Sequence, residues 1–320
     1  MKTSMSRGFA CGLSAIGMIV LPGVTLYATE NQPACLIVKS GSMHADTVKL
    51  VRDRASDSTA AVGLYKAALA VNTDGAPTSY HPDDFRGERL ALNRIDNGVS
   101  IRTVLGKKPS VAKQIEVFDQ WRKGGWVTPT GYRITWKNVI AADPSGRPCI
   151  FEHENAGYFG SLSALKNGLS ANQSGECLVK NQIDERLIPG IVLRGDNNPL
   201  TSWGAATGDL VLAINPETDV TVAGVVVDTG DGNRIGEGSV AMNMKLLEKT
   251  ELPTNYTETK SLDTGSQRMI VAVVPHSAQY KLQRPYSPDN IAERLDEWAK
   301  EHYGSLEAFR SLVRACAADF

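Results

Sequence analysis

From Gly63 the chain alternates apolar and polar residues through GLYKAALAVNTDGAPTSYHPDD. The apolar run meets Asn72-Thr73-Asp74-Gly75, a strong turn signal, and resumes before Pro82. This pattern predicts a β-hairpin. Residues 110–121 form a short polar strand or helix that periodicity does not assign, 130–139 alternate as a strand does, and 152–186 are polar and loop-like. Three strands are predicted at 187–193, 209–214 and 220–227, the last two joined by the turn-rich Asn215-Pro216-Glu217-Thr218-Asp219. Residues 269–274 (MIVAVV) read as a further buried strand ending at Pro275. After Ser287-Pro288 the period becomes 3.6, with Ile291, Leu295, Trp298 and His302 on one face. Ser305 then caps a second helix carrying Leu306, Phe309, Val313 and Cys316 inward. The prediction is a β-rich domain with a C-terminal helical hairpin, without a Pro- or Ser-rich linker or an internal repeat.

The first residues carry Lys2 and Arg7, an apolar segment over 9–24, and Leu26-Tyr27-Ala28 before Thr29-Glu30-Asn31. That is the layout of a secretory signal peptide over 1–28, cleaved after Ala28, and Pro22-Gly23 interrupts a segment already short for spanning a membrane. Four cysteines then remain, an even number in an exported chain, which reads as two disulfides. Cys149 and Cys177 sit in turn-rich surroundings and are paired, leaving Cys35 to tie the N-terminal segment to Cys316. No two of the four have metal-ligand spacing, and none has a His beside it.

With 42% hydrophobic and 22% charged residues over 320 positions, disorder and fibrous repeats are excluded as the main architecture. Cleavage removes two of the 34 basic residues and none of the 35 acidic ones, taking the net charge from −1 to about −3. Neither value gives an electrostatic reason for a nucleic-acid or anionic-lipid partner.

The segment with most chemical content is 208–246. An apolar strand delivers Asp228 to its end, a Gly-rich turn follows, and Glu237 stands between two glycines before a new apolar stretch. Two carboxylates on either side of one turn can point into a shared cleft, which is what acid and base need for glycosidic cleavage, and the glycines would let the backbone approach a bulky polymer. A solvated hairpin tip with two surface acids has the same pattern.

Asp228-Thr229-Gly230 followed by Gly236-Glu237-Gly238-Ser239 resembles the signature of glycoside hydrolase family 75, the fungal-type chitosanases and their bacterial relatives. Residues 65–84 resemble that family's N-terminal hairpin, and 187–196 and 269–277 stand in the order of its later strands, so the likeness covers roughly 60–280. Asn72 stands where an acid is expected, 85–125 match loosely, and His276 replaces a usual Gly. The resemblance implies Glu237 as general acid and Asp228 as general base. It implies substrate contacts from Thr229, Ser239, Lys66, Asp74, Tyr80 and His81, and neither metal nor organic cofactor. The fold expected by analogy is mainly β, a six-stranded double-psi-like barrel.

An aspartic protease is the rival reading of VVVDTG, since Asp263-Thr264-Gly265-Ser266 supplies a second copy. Only 35 residues separate the two aspartates, too few for two lobes, so Asp263 reads as a turn residue. His44, His81, His153, His276 and His302 form no ligand-spaced pair and no Gly-x-Ser-x-Gly elbow occurs. Of Trp121, Trp126, Trp136 and Trp203, one or two are expected to stack on sugar in the cleft.

The expectation is therefore a signal peptide (1–28), an N-terminal extension (29–60), a catalytic domain (61–286) and a helical hairpin (287–320). The protein would be secreted or periplasmic, without stable membrane association, and would cleave a β-1,4-linked amino-sugar polymer, chitosan first, with inversion. The alternatives are a peptidoglycan-cleaving enzyme and a non-catalytic wall-binding barrel.

Overall fold

The computed structural model describes residues 35–55, 58–168, 181–195, 197–230, 232, 234–318 and 320. The expected signal peptide and Cys177 lie outside the described residues. The fold is mainly β with a C-terminal helical pair. The strands are β1 (Cys35–Met43), β2 (Asp46–Asp53), β3 (Val62–Ala67), β4 (Ala70–Asn72), β5 (Val99–Thr103), β6 (Tyr132–Trp136), β7 (Gly190–Arg194), β8 (Leu210–Ile214), β9 (Thr221–Gly230), β10 (Glu237–Ser239) and β11 (Met269–Val273). The helices are α1 (Ile95–Gly98), α2 (Val111–Lys123), α3 (Pro199–Ser202), α4 (Val240–Leu246), α5 (Tyr256–Lys260), α6 (Pro288–Tyr303) and α7 (Leu306–Ala317).

Nine strands form one sheet in the order β1-β2-β3-β11-β8-β9-β7-β10-β4. Neighbours are antiparallel except β7–β9 and β10–β4, which are parallel. The central strands are apolar on both faces because both faces are covered. Leu64, Leu212, Val225 and Ala272 point to one side, where α6 and α7 bring Ile291, Leu295, Trp298, Phe309 and Val313. Tyr65, Val211, Val226 and Val271 point to the other, against Leu200, Met242 and Leu246. The sequence signals that end α6 and begin α7 act as expected. Ser287 makes a capping box with Asn290, Gly304 closes α6 at φ 80°, and Ser305 caps α7. A disulfide joins Cys35 to Cys316, the pairing expected, and ties β1 to α7. Among the described residues no helix is long and apolar enough to cross a membrane.

A smaller lobe packs α2 on the β5–β6 ribbon around Phe118, Trp121, Trp126 and Trp136. Residues 110–121, unassigned by periodicity, are thus mostly helix α2, capped by Ser110.

One further expectation is corrected. Residues 63–82 are not a hairpin, because β4 pairs in parallel with β10 and the chain beyond Asn72 runs through turns without a returning strand. Between β3 and β4, Gly236 presses against the chain at Ala67 and Ala68. A Cβ at Gly236 would stand 2.3 Å from the Ala68 carbonyl oxygen, and its φ of 102° is one that L side chains rarely adopt. Within the expected N-terminal extension (29–60), β1 and β2 form a hairpin hydrogen-bonded onto β3.

Candidate active site

β9 and β7 carry a bulge at the point where the motif begins. Ile191 pairs with Val226 and Val192 with Asp228, so Val227 has no cross-strand partner. An extra residue of this kind twists the strand and re-aims the side chain beside it. On the other side of β7, Ile191 pairs with Gly238 of β10. Asp228 and Glu237 therefore stand on the two strands flanking β7, at the same end of the sheet. Two strand spacings separate their backbones by about 9–10 Å.

Both acids line one groove of about 1110 Å³, together with Asn72, Asp74, Trp136, Lys137, Lys166, Arg194 and Thr229. Their surroundings differ. One oxygen of Asp228 accepts two backbone N–H groups, from Thr229 and Ala164, each at 2.8 Å, and the Asn72 carboxamide also favours its ionised form. Burial pushes the Asp228 carboxyl up from its usual range, and these donors work against that push. Glu237 is also held up, first by burial, with the Arg194 guanidinium opposing from 3.2 Å and the charge of Asp228 adding to the rise.

Asp74, in the turn after β4, is drawn to the same place. Its carboxylate accepts the Tyr80 hydroxyl at 3.0 Å, while its N–H meets the Asn72 carboxamide oxygen at 3.3 Å. Burial and then the nearby Asp228 hold it well above the usual carboxylate range. Glu185, just ahead of β7, is fully buried and held well up by burial and by the charges of Asp228, Asp74 and Glu237. Four carboxyl groups, Asp74, Glu185, Asp228 and Glu237, thus share one region. Among the described residues no group of three or more His, Cys, Asp or Glu side chains is arranged to hold a metal ion.

The other residues singled out in the sequence fall in different places. Thr229 is exposed at the groove. Ser239 is fully buried, where its hydroxyl accepts from Gly190 N–H and Met242 N–H and donates to the Ile188 carbonyl, so it caps α4 and joins β10 to β7 instead of meeting substrate. Tyr80 is buried and acts on the groove through Asp74, its hydroxyl also accepting from Asn93. His81 packs edge-on against Tyr158, takes the Asp83 N–H on Nδ1, and is not among the groove-lining residues. Lys66 lies on β3, also outside the groove lining, with its carbonyl taken by Arg268. Trp136 is the tryptophan in the groove wall. Trp121 and Trp126 pack with it in the lobe's aromatic cluster, and Trp203 packs against the sheet. The glycines around Glu237 serve the protein's own packing, because a Cβ at Gly238 would meet the Asn243 side chain at 2.4 Å.

Asp263 lies in a different depression, with Asp46, Arg234 and Arg268, where it accepts the Val71 N–H at 2.8 Å and pairs with Lys260. It is a bend residue before β11, and it does not line the groove that Asp228 lines.

Glu185 escaped the sequence reading because it sits in a polar stretch without periodicity. The one signal pointing to it was Asn72, an amide where an acid was expected, which in the structure donates to Glu185 at 3.1 Å.

No family model matches the chain, and no curated protein matches its sequence.

Proposed function

We propose that this protein is an exported, endo-acting glycoside hydrolase of the family 75 kind that cleaves a β-1,4-linked amino-sugar polymer with inversion. The observation that carries the reading is the placement of Asp228 and Glu237 on the strands either side of β7, lining one groove with unlike surroundings. Asp228, supplied with backbone donors, suits the base that takes a proton from water as the water oxygen attacks the anomeric carbon. Glu237, without backbone donors to its carboxyl among the described residues and held up by burial, suits the acid that protonates the leaving oxygen as the glycosidic bond breaks. The proton gained by Asp228 then returns to Glu237 by way of solvent. Inversion calls for carboxyl groups about 6.5–9.5 Å apart with room for that water, and placement on strands two spacings apart is compatible with it.

The same reading takes the sheet as a six-stranded barrel. β3 and β4 are consecutive pieces of one chain run, β3 bonded to β11 and β4 to β10, so this run would close a ring through β11, β8, β9, β7 and β10. The Cys35–Cys316 bridge supports an oxidising compartment.

Peptidoglycan is the second reading of the polymer. Lys137, Lys166 and Arg194 line the groove in equal number with Asp74, Asp228 and Glu237. A polycation such as chitosan is better served by an acidic cleft. Chitosan, chitin and peptidoglycan assayed in parallel for new reducing ends test the function and choose the polymer. Proton NMR of the first product, before mutarotation, tests the stereochemistry. No reducing ends from any of the three would refute the enzyme, and an initial β-anomer would refute the roles of the two acids.

A further inference from the structure

A second depression, of about 520 Å³, adjoins the groove and shares Arg194 with it. It lies at the start of the parallel β4–β10 pair: Ala70 and Gly236 line it, while Asn72 and Glu237, further along the same two chain runs, line the groove. Sites for small ligands usually measure roughly 300–1,000 Å³, so one sugar unit fits. Three arginines line the depression, Arg194, Arg234 and Arg268, against two acids, Asp46 and Asp263.

Both acids are already engaged. Asp46 Oδ1 accepts Arg268 Nη2 at 2.9 Å, and Asp263 accepts the Val71 N–H at 2.8 Å on one oxygen while its other pairs with Lys260. With Lys260 counted, four positive charges stand against these two negative ones, and Glu237 meets the set from the groove side through Arg194. Arg268 spends only Nη2, on Asp46 and the Lys66 carbonyl, and its side chain is 53% exposed. Arg234 comes from the turn that joins the two acids of the groove. It is exposed, and its side chain makes no hydrogen bond or ion pair among the described residues. Guanidinium groups that the fold leaves open match planar oxyanions, which they bind through paired N–H groups. A cationic sugar is repelled there, and a neutral one brings no charge to meet them.

We propose that this depression is a subsite for a carboxylate-bearing sugar of the polymer, held by Arg234 and Arg268 on the Glu237 side of the groove. The step from an oxyanion site to a polymer subsite rests on the groove being where the polymer lies. Among amino-sugar polymers the subsite selects those with acidic substituents, such as the lactyl ethers of muramic acid in peptidoglycan, over chitosan. A free anion such as phosphate offers the same oxyanion chemistry.

The test is calorimetry at low salt on the full chain carrying Asp228→Asn, so that a bound oligomer stays intact whether or not the protein is an enzyme. The probes are the β-1,4 tetramer of N-acetylglucosamine, the tetramer in which N-acetylmuramic acid alternates with it, the glucosamine tetramer, and inorganic phosphate. The first two share a backbone and differ by their lactyl carboxylates. The muramic tetramer is expected to bind about tenfold more tightly than the N-acetylglucosamine tetramer, and the glucosamine tetramer more weakly than either. Arg234→Ala and Arg268→Ala should each remove about that tenfold from the muramic tetramer and leave the N-acetylglucosamine tetramer unchanged. Phosphate should compete weakly, and with the muramic tetramer alone. Equal affinity for the first two tetramers, a glucosamine tetramer bound as tightly as the muramic one, or an arginine loss shared by both acetylated tetramers overturns the inference. Phosphate binding that depends on Arg234 while muramic tetramer binding does not overturns it too, in favour of a free anion. If Arg268→Ala does not fold, having lost its bonds to Asp46 and Lys66, Arg234→Ala decides, since the Arg234 side chain makes no such bonds. A wild type that releases no reducing ends from any polymer counts against the proposed function alone, because these affinities need no turnover.

Discussion

Arg194 and Glu237 meet across the β7–β10 boundary, guanidinium Nε to carboxylate Oε2 at 3.2 Å, with Arg194 also lying close to Gly230 and Gly232. The arginine opposes the rise that burial imposes on Glu237, so it sets how readily the acid gives up its proton.

Arg194→Gln removes a positive neighbour that favours the ionised form. Glu237 then keeps its proton to higher pH, and the alkaline limb of kcat/KM should move up by about one pH unit. A limb that stays put or moves down would show that Glu237 is not the group whose deprotonation ends activity.

Glu237→Gln and Asp228→Asn replace each acid by its near-isosteric amide. Each should lower turnover by about 10²–10⁴-fold with the thermal midpoint little changed. More than about a tenth of wild-type activity in either variant would remove that residue from the mechanism.

Asp74 and Glu185 are raised by burial, and this has a sign for stability. The unfolded chain releases these protons near pH 4, while the folded protein holds them to higher pH. The folded state binds more protons over that interval, so stability is full below about pH 4 and falls as pH rises toward the folded values. Asp74→Asn and Glu185→Gln should raise the urea midpoint at pH 7 and leave it unchanged at pH 4. An equal gain at both pH values would mean the acids are ionised in the fold.

Cys35 and Cys316 are both buried, and their bridge spans 281 positions in sequence. Replacing both with Ala should cost about 2–5 kcal/mol, read as a lower urea midpoint. A midpoint equal to wild type would show the helical pair held by packing alone. Cys149 is also disulfide-bonded, and peptide mapping without reduction is expected to find it joined to Cys177. Free thiols at these positions would remove that pairing.

The strands at the centre of the sheet were legible because burial on both faces writes itself as a continuous apolar run, as in Leu210–Ile214 and Met269–Val273. The terminal helices were legible through their period and their Ser caps. β1 was not, because most of its residues are exposed and it owes its strand state to pairing with β2. α2 was hidden by Gln114, a polar residue at an inward position, whose side chain is buried by bonding the Pro109 carbonyl. The partner of β4 lies more than 160 residues away, and no local pattern can encode a parallel pairing of three residues. At the site, Asp228 and Glu237 stood out by motif. Glu185, by contrast, is defined by what folds around it.

The bridge between β1 and α7 also sets an order of events. Cys316 lies 281 positions after Cys35, so this bond cannot form until all the chain between them has been delivered. Until then β1, mostly exposed along its length, is held by its pairing with β2. The bridge therefore encloses every strand and helix between β1 and α7 in one covalent loop, and a chain cut short before α7 has no means of closing it.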